Sequence, residues 1–366
     1  MFRRLFAWMS RYERSLSAAA MVAGFVADQI FFERVDLWQT QAVFASYVGI
    51  CFFSITLLHA IEARADRGIA RPRWRSVLPI ATQFALGGFW SGFLVFYGRS
   101  AVLGASWPFI LLLAVILIAN EVLSRYHERL VFTVVLFFFA LYSYTIFALP
   151  ILVGTISTLV FLASGVVAVG IFALFTILLR VVGRERFLND VWRIRVGAFA
   201  VLIIINIFYF TNILPPLPLA AKAAGVYHSV VRDGAVYTAQ EERAGSWYLG
   251  PWRALFGGAP TLSVVPGESL YAYSAVFAPV ALATTIVHQW QHYDEGSKEW
   301  ITLAAISFPI NGGRDGGYRG YSAKANPAPG QWRVNVETAD GRLIARVRFS
   351  VAQVALPAQQ ESIILP

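Results

Sequence analysis

Seven runs of about twenty apolar residues in the first 214 positions constrain this chain more than any other feature. They fall at 16–32, 41–60, 77–98, 105–123, 131–149, 154–179 and 196–214. A bilayer core about 30 Å thick is spanned by about 20 apolar residues as helix. Lipid offers backbone N–H and C=O groups no partner except one another, so each run predicts a helix. The first is the shortest, and Asp28 and Gln29 interrupt it. A basic N-terminus precedes it, but no A-x-A site closes it cleanly, so it reads as an uncleaved first span. Gly154, Gly165 and Gly170 along the sixth run would permit close helix contact.

Composition agrees. Of 366 residues, 57% are hydrophobic and 14% charged, against about 25% charged in soluble domains. Disorder and an ordinary soluble enzyme are both excluded. The net charge of +9 could suggest a nucleic-acid partner, so its distribution matters. Residues 1–214 hold 18 Arg, no Lys and 10 acids, while residues 215–366 hold 12 basic and 11 acidic residues. The basicity therefore sits in short clusters between apolar runs, as in the cytoplasmic loops of membrane proteins, and not in a nucleic-acid-binding stripe. No nucleic-acid partner is expected; the bilayer is. With seven spans, sixteen arginines share one side and only Arg34 and Arg99 occupy short loops on the other. The positive-inside rule then predicts a multi-pass membrane protein, its N-terminus cytoplasmic and everything after residue 214 outside.

Little in the apolar half points to chemistry. A single cysteine, Cys51, allows neither an internal disulfide nor a Cys-based zinc site, and no cofactor is expected. Asp28, Gln29, His59, Glu62, Gln83, Asn120, Glu121 and Asn206 lie in or near the spans. Most are close to a predicted boundary, where snorkelling costs little, which favours interfacial or structural roles. A transporter or membrane-embedded enzyme with an accessory β domain is the alternative.

Pro215, Pro216 and Pro218 stop the seventh helix, and the pattern then changes to alternation with turn dipeptides. Val230–Val236 reads as a hairpin around Asp233-Gly234. Trp332, Val334 and Val336 share one face, as do Leu343, Ala345, Val347, Phe349 and Val351, with Ala339-Asp340-Gly341 joining the two strands. Further strands are predicted near 270–278, 285–293 and 299–309. The expected organisation is a seven-helix membrane domain (1–214), a linker and membrane-proximal segment with one hairpin (215–268), an antiparallel β-sandwich of immunoglobulin or fibronectin type (269–352) and a tail (353–366).

Several stretches carry a resemblance: Pro215–Leu219, Gly225–His228, Val276–Pro279, His288–Trp290, Gly312–Arg319 and Gly330–Val334. Together they resemble the domain-of-unknown-function family 2914 of bacterial membrane proteins. The resemblance covers most of residues 215–351. It implies a protein of the bacterial inner membrane with a membrane-anchored extracytoplasmic domain and no established activity.

Two stretches are candidates for chemistry. His288-Gln289-Trp290-Gln291-His292 invites comparison with the zinc-protease signature H-E-x-x-H, but Gln289 replaces the glutamate base. On a strand the two histidines would stand about 13 Å apart at ~3.3 Å per residue, too far for one metal. No metal site is expected; a histidine pair flanking a packed Trp290 is the favoured reading, with His288 and Trp290 kept as binding candidates. Gly312–Arg319 is denser. Its glycines permit φ > 0, Arg314 and Arg319 offer forked donors beside Asp315, and Tyr318 offers an aromatic platform. No catalytic residue is assigned, since no G-x-S-x-G or P-loop is present. Of the outer aromatics, Trp332 is expected in the core, and Trp247 and Trp252 at the membrane interface. The expected function is a non-enzymatic envelope protein whose β-sandwich binds a partner protein or a glycan.

Overall fold

The computed structural model describes residues 36–100, 103–122, 130–214, 216, 218–242, 259–279, 282–312 and 316–366. The predicted first span at 16–32, with Asp28 and Gln29, lies outside them, as do Trp247 and Trp252. The chain divides into two compact units, Met1–Leu217 and Pro218–Pro366.

The first unit contains helices α1 (Trp38–Ala65), α2 (Val77–Ser100), α3 (Leu103–Val122), α4 (Leu130–Val153), α5 (Thr158–Val182) and α6 (Arg184–Phe210). A 3-10 turn at Arg73–Ser76 leads into α2. Five of these, all but α3, are long and apolar enough to cross a membrane; α3 contributes the shorter apolar stretch Pro108–Ala119. The seven expected spans thus stand at five among the described residues. Their interior is aromatic: the Phe44 ring lies 5.3 Å from Phe93, 5.6 Å from Phe89 and 5.4 Å from Phe147. Large apolar groups such as Phe53, Phe84, Leu174 and Phe199 are exposed on the outside. Helices hydrophobic all round suit a lipid solvent.

Contacts between helix ends fix their directions. Arg71 Nη2 lies 2.9 Å from Glu62 Oε2, Arg75 pairs with the same carboxylate, and Arg186 reaches Asp66 at 3.2 Å. His59 Nε2 is 3.2 Å from the Gly183 carbonyl oxygen. The end of α1, the start of α2 and the α5–α6 turn therefore share one end of the unit. At the other end Gly154, at φ +77°, closes α4, and the Ser157 hydroxyl accepts the Val160 N–H to cap α5. Gly154 is thus a helix terminator. Gly165 is the close approach, since a Cβ there would sit 2.9 Å from the Tyr142 hydroxyl oxygen, whereas Gly170 faces open space.

The second unit is all β. Its strands are β1 (Ala220–Tyr227), β2 (Ser229–Asp233), β3 (Val236–Glu242), β4 (Thr261–Val264), β5 (Ser269–Phe277) and β6 (Ala283–Asp294). There follow β7 (Glu299–Asn311), β8 (Tyr318–Ala325), β9 (Gly330–Thr338), β10 (Leu343–Gln353) and β11 (Gln360–Leu365). They form a five-stranded sheet, β4-β10-β9-β6-β7, and two three-stranded sheets, β1-β5-β8 and β11-β3-β2. Pairing is antiparallel except for β10 with β4.

The layering departs from a two-layer immunoglobulin-type sandwich. Leu270 and Ala272 of β5 pack with Trp290, Trp332, Val334 and Phe349 of the five-stranded sheet. Tyr273 and Ala275, on the other face of β5, pack with Val230, Tyr237, Ala239 and Leu365 of the small sheet. Because β5 is apolar on both faces, its sheet becomes a middle layer. Residues 215–268 accordingly hold more than a hairpin: β1 pairs with β5, and β4 with β10. Residues 353–366 are no free tail, because β11 pairs with β3 from Gln360 to Leu365.

Candidate functional site

The site is built from the β2–β3 hairpin and the start of β8. Asp233 pairs with Val236 around Gly234, which sits at φ +58°, as expected of a glycine in a tight hairpin turn. Arg232 and Tyr237 are directly opposed across this ladder and so share a face. On the other side, Gly317 takes φ +84°, and a Cβ there would meet the Val276 backbone at 3.0 Å. Only glycine fits both the angle and the gap. The chain then enters β8 with Arg319 opposite Ala275 of β5, whose face packs on the small sheet.

Arg319 Nη1 donates to the Ala235 carbonyl at 2.7 Å, and Arg232 Nε to the Gly234 carbonyl at 3.0 Å. Both guanidinium groups lie over the Tyr237 ring, at 5.7 Å for Arg232 and 5.9 Å for Arg319. Together with Gly234, Ala235, Gly316 and Gly317 they line a cleft of about 400 Å³. Among the described residues neither arginine has an acidic partner. Their hydrogen bonds go to backbone carbonyls.

Tyr237 is only 7% exposed. Its ring leans on Tyr273 at 5.6 Å, and the Tyr273 hydroxyl donates to the Pro366 carbonyl. Burial pushes that hydroxyl up to about 12, so it stays protonated and donating. Tyr237 therefore positions the two cations; it is no open stacking surface. Chemically, the cleft is suited to holding an anion.

Of the residues singled out in the sequence, the cleft contains Arg319. Tyr318 does not join it, because adjacent strand residues face opposite ways, and Tyr318 is paired with Val276. The aromatic beside Arg319 is Tyr237 instead. Arg314 and Asp315 lie outside the described residues. His288 and Trp290 are both fully buried. His288 Nε2 is 2.7 Å from Ser274 Oγ, its Nδ1 is 2.9 Å from Ser322 Oγ, and Trp290 Nε1 donates to the same Ser322 oxygen at 3.0 Å. These are sealed core contacts. His292 is engaged separately, with Nε2 3.1 Å from the Pro329 carbonyl oxygen. Among the described residues no group of three or more His, Cys, Asp or Glu could hold a metal.

Arg232 and Tyr237 escaped the sequence reading. Their positions flanking Asp233-Gly234 imply a shared face, but nothing local says which sheet that hairpin covers.

No curated protein matches the chain. Among solved structures, two of β-glucosidase from Listeria innocua, one in complex with gluconolactone, show 12% identity over 34% of this chain and 17% of that one, with TM-scores of 0.20 for the complex and 0.19. This chain thus spans about a sixth of those proteins, and no property of theirs transfers to it. Residues 283–351, which run from β6 into β10, match the family described as protein of unknown function (DUF2914), and the chain carries that family's domain in its C-terminal region.

Proposed function

We propose that this is a non-enzymatic membrane protein of the bacterial envelope, whose β unit stands outside the cytoplasm and binds an acidic glycan. The observation that carries the reading is the cleft in which Arg232 and Arg319 flank Tyr237 without an acidic partner among the described residues. A cleft of about 400 Å³ has the scale of a small-ligand site. A stable protein–protein contact instead needs about 800 Å² from each partner. That favours a carboxylate- or phosphate-bearing sugar unit over a partner protein, since forked guanidinium donors match such groups in two-point contacts. The outward β unit rests on the arginine asymmetry of the loops, and the inner-membrane location on the resemblance to a family of bacterial membrane proteins.

A transport role would need polar groups converging at mid-depth. Among the described residues, the Asn206 amide is already engaged, donating to the Tyr142 hydroxyl at 3.1 Å and to the Leu202 carbonyl at 2.8 Å.

The test presents the detergent-purified full chain to immobilised uronate-bearing, phosphate-bearing and neutral glycans. Binding is expected to the acidic set only. Replacing Arg232 and Arg319 together by Ala removes two charge-assisted contacts of about 1.5–3 kcal/mol each, enough for at least a tenfold loss. Binding that ignores glycan charge, or that survives the double replacement, would refute the reading.

A further inference from the structure

The helical unit contains an apolar groove of about 340 Å³, lined by residues of α5 and α6 together with Phe138 of α4. Its walls include Phe172, Ala173 and Ile177 of α5 and Ile194, Phe199 and Leu202 of α6. The α5 wall runs from Val169 to Arg180, about 16 Å at 1.5 Å per residue, the scale of an acyl chain.

Two arginines, Arg180 and Arg195, also line it, and both are exposed. Neither has an acidic partner among the described residues, whereas Arg186 reaches Asp66 and Arg193 reaches Asp190 at 3.4 Å. Each of the two unpaired arginines stands where its helix changes character. Residues 158–179 of α5 and 196–210 of α6 carry no charge at all. Arg180 lies toward the α5–α6 turn and Arg195 further along, beyond Phe187, Val191 and Ile194, and past them the groove continues between uncharged stretches of both helices, the polarity sequence of a phospholipid. Guanidinium groups at that level attract phosphate, and snorkelling lets them reach it.

We propose that this groove holds one acyl chain of an anionic phospholipid, with the lipid phosphate engaged by Arg180 and Arg195. The protein then selects an anionic lipid from the surrounding bilayer and seats it between α5 and α6. This site is independent of the cleft in the β unit.

Native mass spectrometry of the full chain in detergent tests this, using phosphatidylglycerol and phosphatidylcholine with identical acyl chains. The wild type is expected to retain one phosphatidylglycerol at least ten times more strongly than phosphatidylcholine. Arg180→Gln with Arg195→Gln is expected to bring the two lipids level with no change in melting temperature. Ala173→Trp fills the groove from an exposed position and is expected to reduce retention of both. Equal retention of the two lipids by the wild type overturns the proposal, as does undiminished phosphatidylglycerol on both variants. Displacement of the bound lipid by millimolar inorganic phosphate also overturns it, since the site would then recognise a free anion.

Discussion

His288 shows how a residue that looks chemical in sequence becomes structural once folded. Its ring is sealed between β5, β6 and β8, with a serine hydroxyl on each nitrogen and Phe308 edge-on at 5.0 Å. A neutral imidazole, one nitrogen donating and one accepting, satisfies both contacts. Burial pushes its pKa from 6.5 down to about 4. The folded chain consequently holds fewer protons at this site than the unfolded one between those two values. Stability from this group is intact above about pH 6.5 and is lost as pH drops through that window, the loss reaching roughly 3 kcal/mol below pH 4. The urea midpoint of the β unit's unfolding, followed through its tryptophans at pH 7 and pH 4.5, is expected to fall further in the wild type than in His288→Gln. Equal shifts would remove His288 as the cause. The candidate site was only half legible for a related reason. Arg319 stands out in a glycine-rich stretch, but its true aromatic partner, Tyr237, lies 82 positions earlier and meets it only through sheet stacking.

At the scale of elements, the helical unit is tied at one end by the buried Glu62 carboxylate. Its side chain is 8% exposed and gathers Arg71, Arg75 and Arg186 from three different segments. Removing its charge leaves three guanidinium groups facing one another. Because the arginines are themselves partly exposed, the usual 3–5 kcal/mol for breaking a buried pair is discounted to about 2 kcal/mol for Glu62→Gln. Asp66, at 53% side-chain exposure, pairs with Arg186, and Asp66→Asn is expected to change stability by less than about 0.5 kcal/mol. Thermal unfolding of the two variants in detergent separates them, and equal shifts would dissolve the distinction. Among the strands, legibility followed burial. One-sided strands such as β9, with Trp332, Val334 and Val336 inward, were readable because alternation reports one buried face. β5 is covered on both faces, so its pattern conceals the third layer. β11 is exposed over most of its length and gains order from pairing with β3, a long-range contact without a local signature.

For the whole molecule, the number of spans turns on α3. The α1–α2 connection and the α5–α6 turn lie at one end, because Arg186 reaches Asp66 and His59 reaches Gly183. α2 runs away from that end and α5 returns to it. α4 meets α5 at the far end through Gly154–Ser157, so α4 also runs away. Only a returning α3 connects α2 to α4. Its 20 residues give a helix of about 30 Å, of which Pro108–Ala119 is the apolar stretch. The six described helices are then expected to alternate in direction, which would put the arginines of loop 61–76 and loop 180–195 on one side together. The chain leaves α6 at the other. A reporter that matures only outside the cytoplasm is therefore expected to work when fused after Pro366, beyond the β11 pairing, and to stay silent when inserted at Gly68. A single cysteine at Thr155, in a chain with Cys51 replaced by Ala, is expected to react with an impermeant thiol reagent added to intact cells, and one at Gly68 to be protected. If α3 failed to cross, Thr155 and Gly68 would respond alike, and the contact between Arg186 and Asp66 would require a chain path through the bilayer that no described helix supplies.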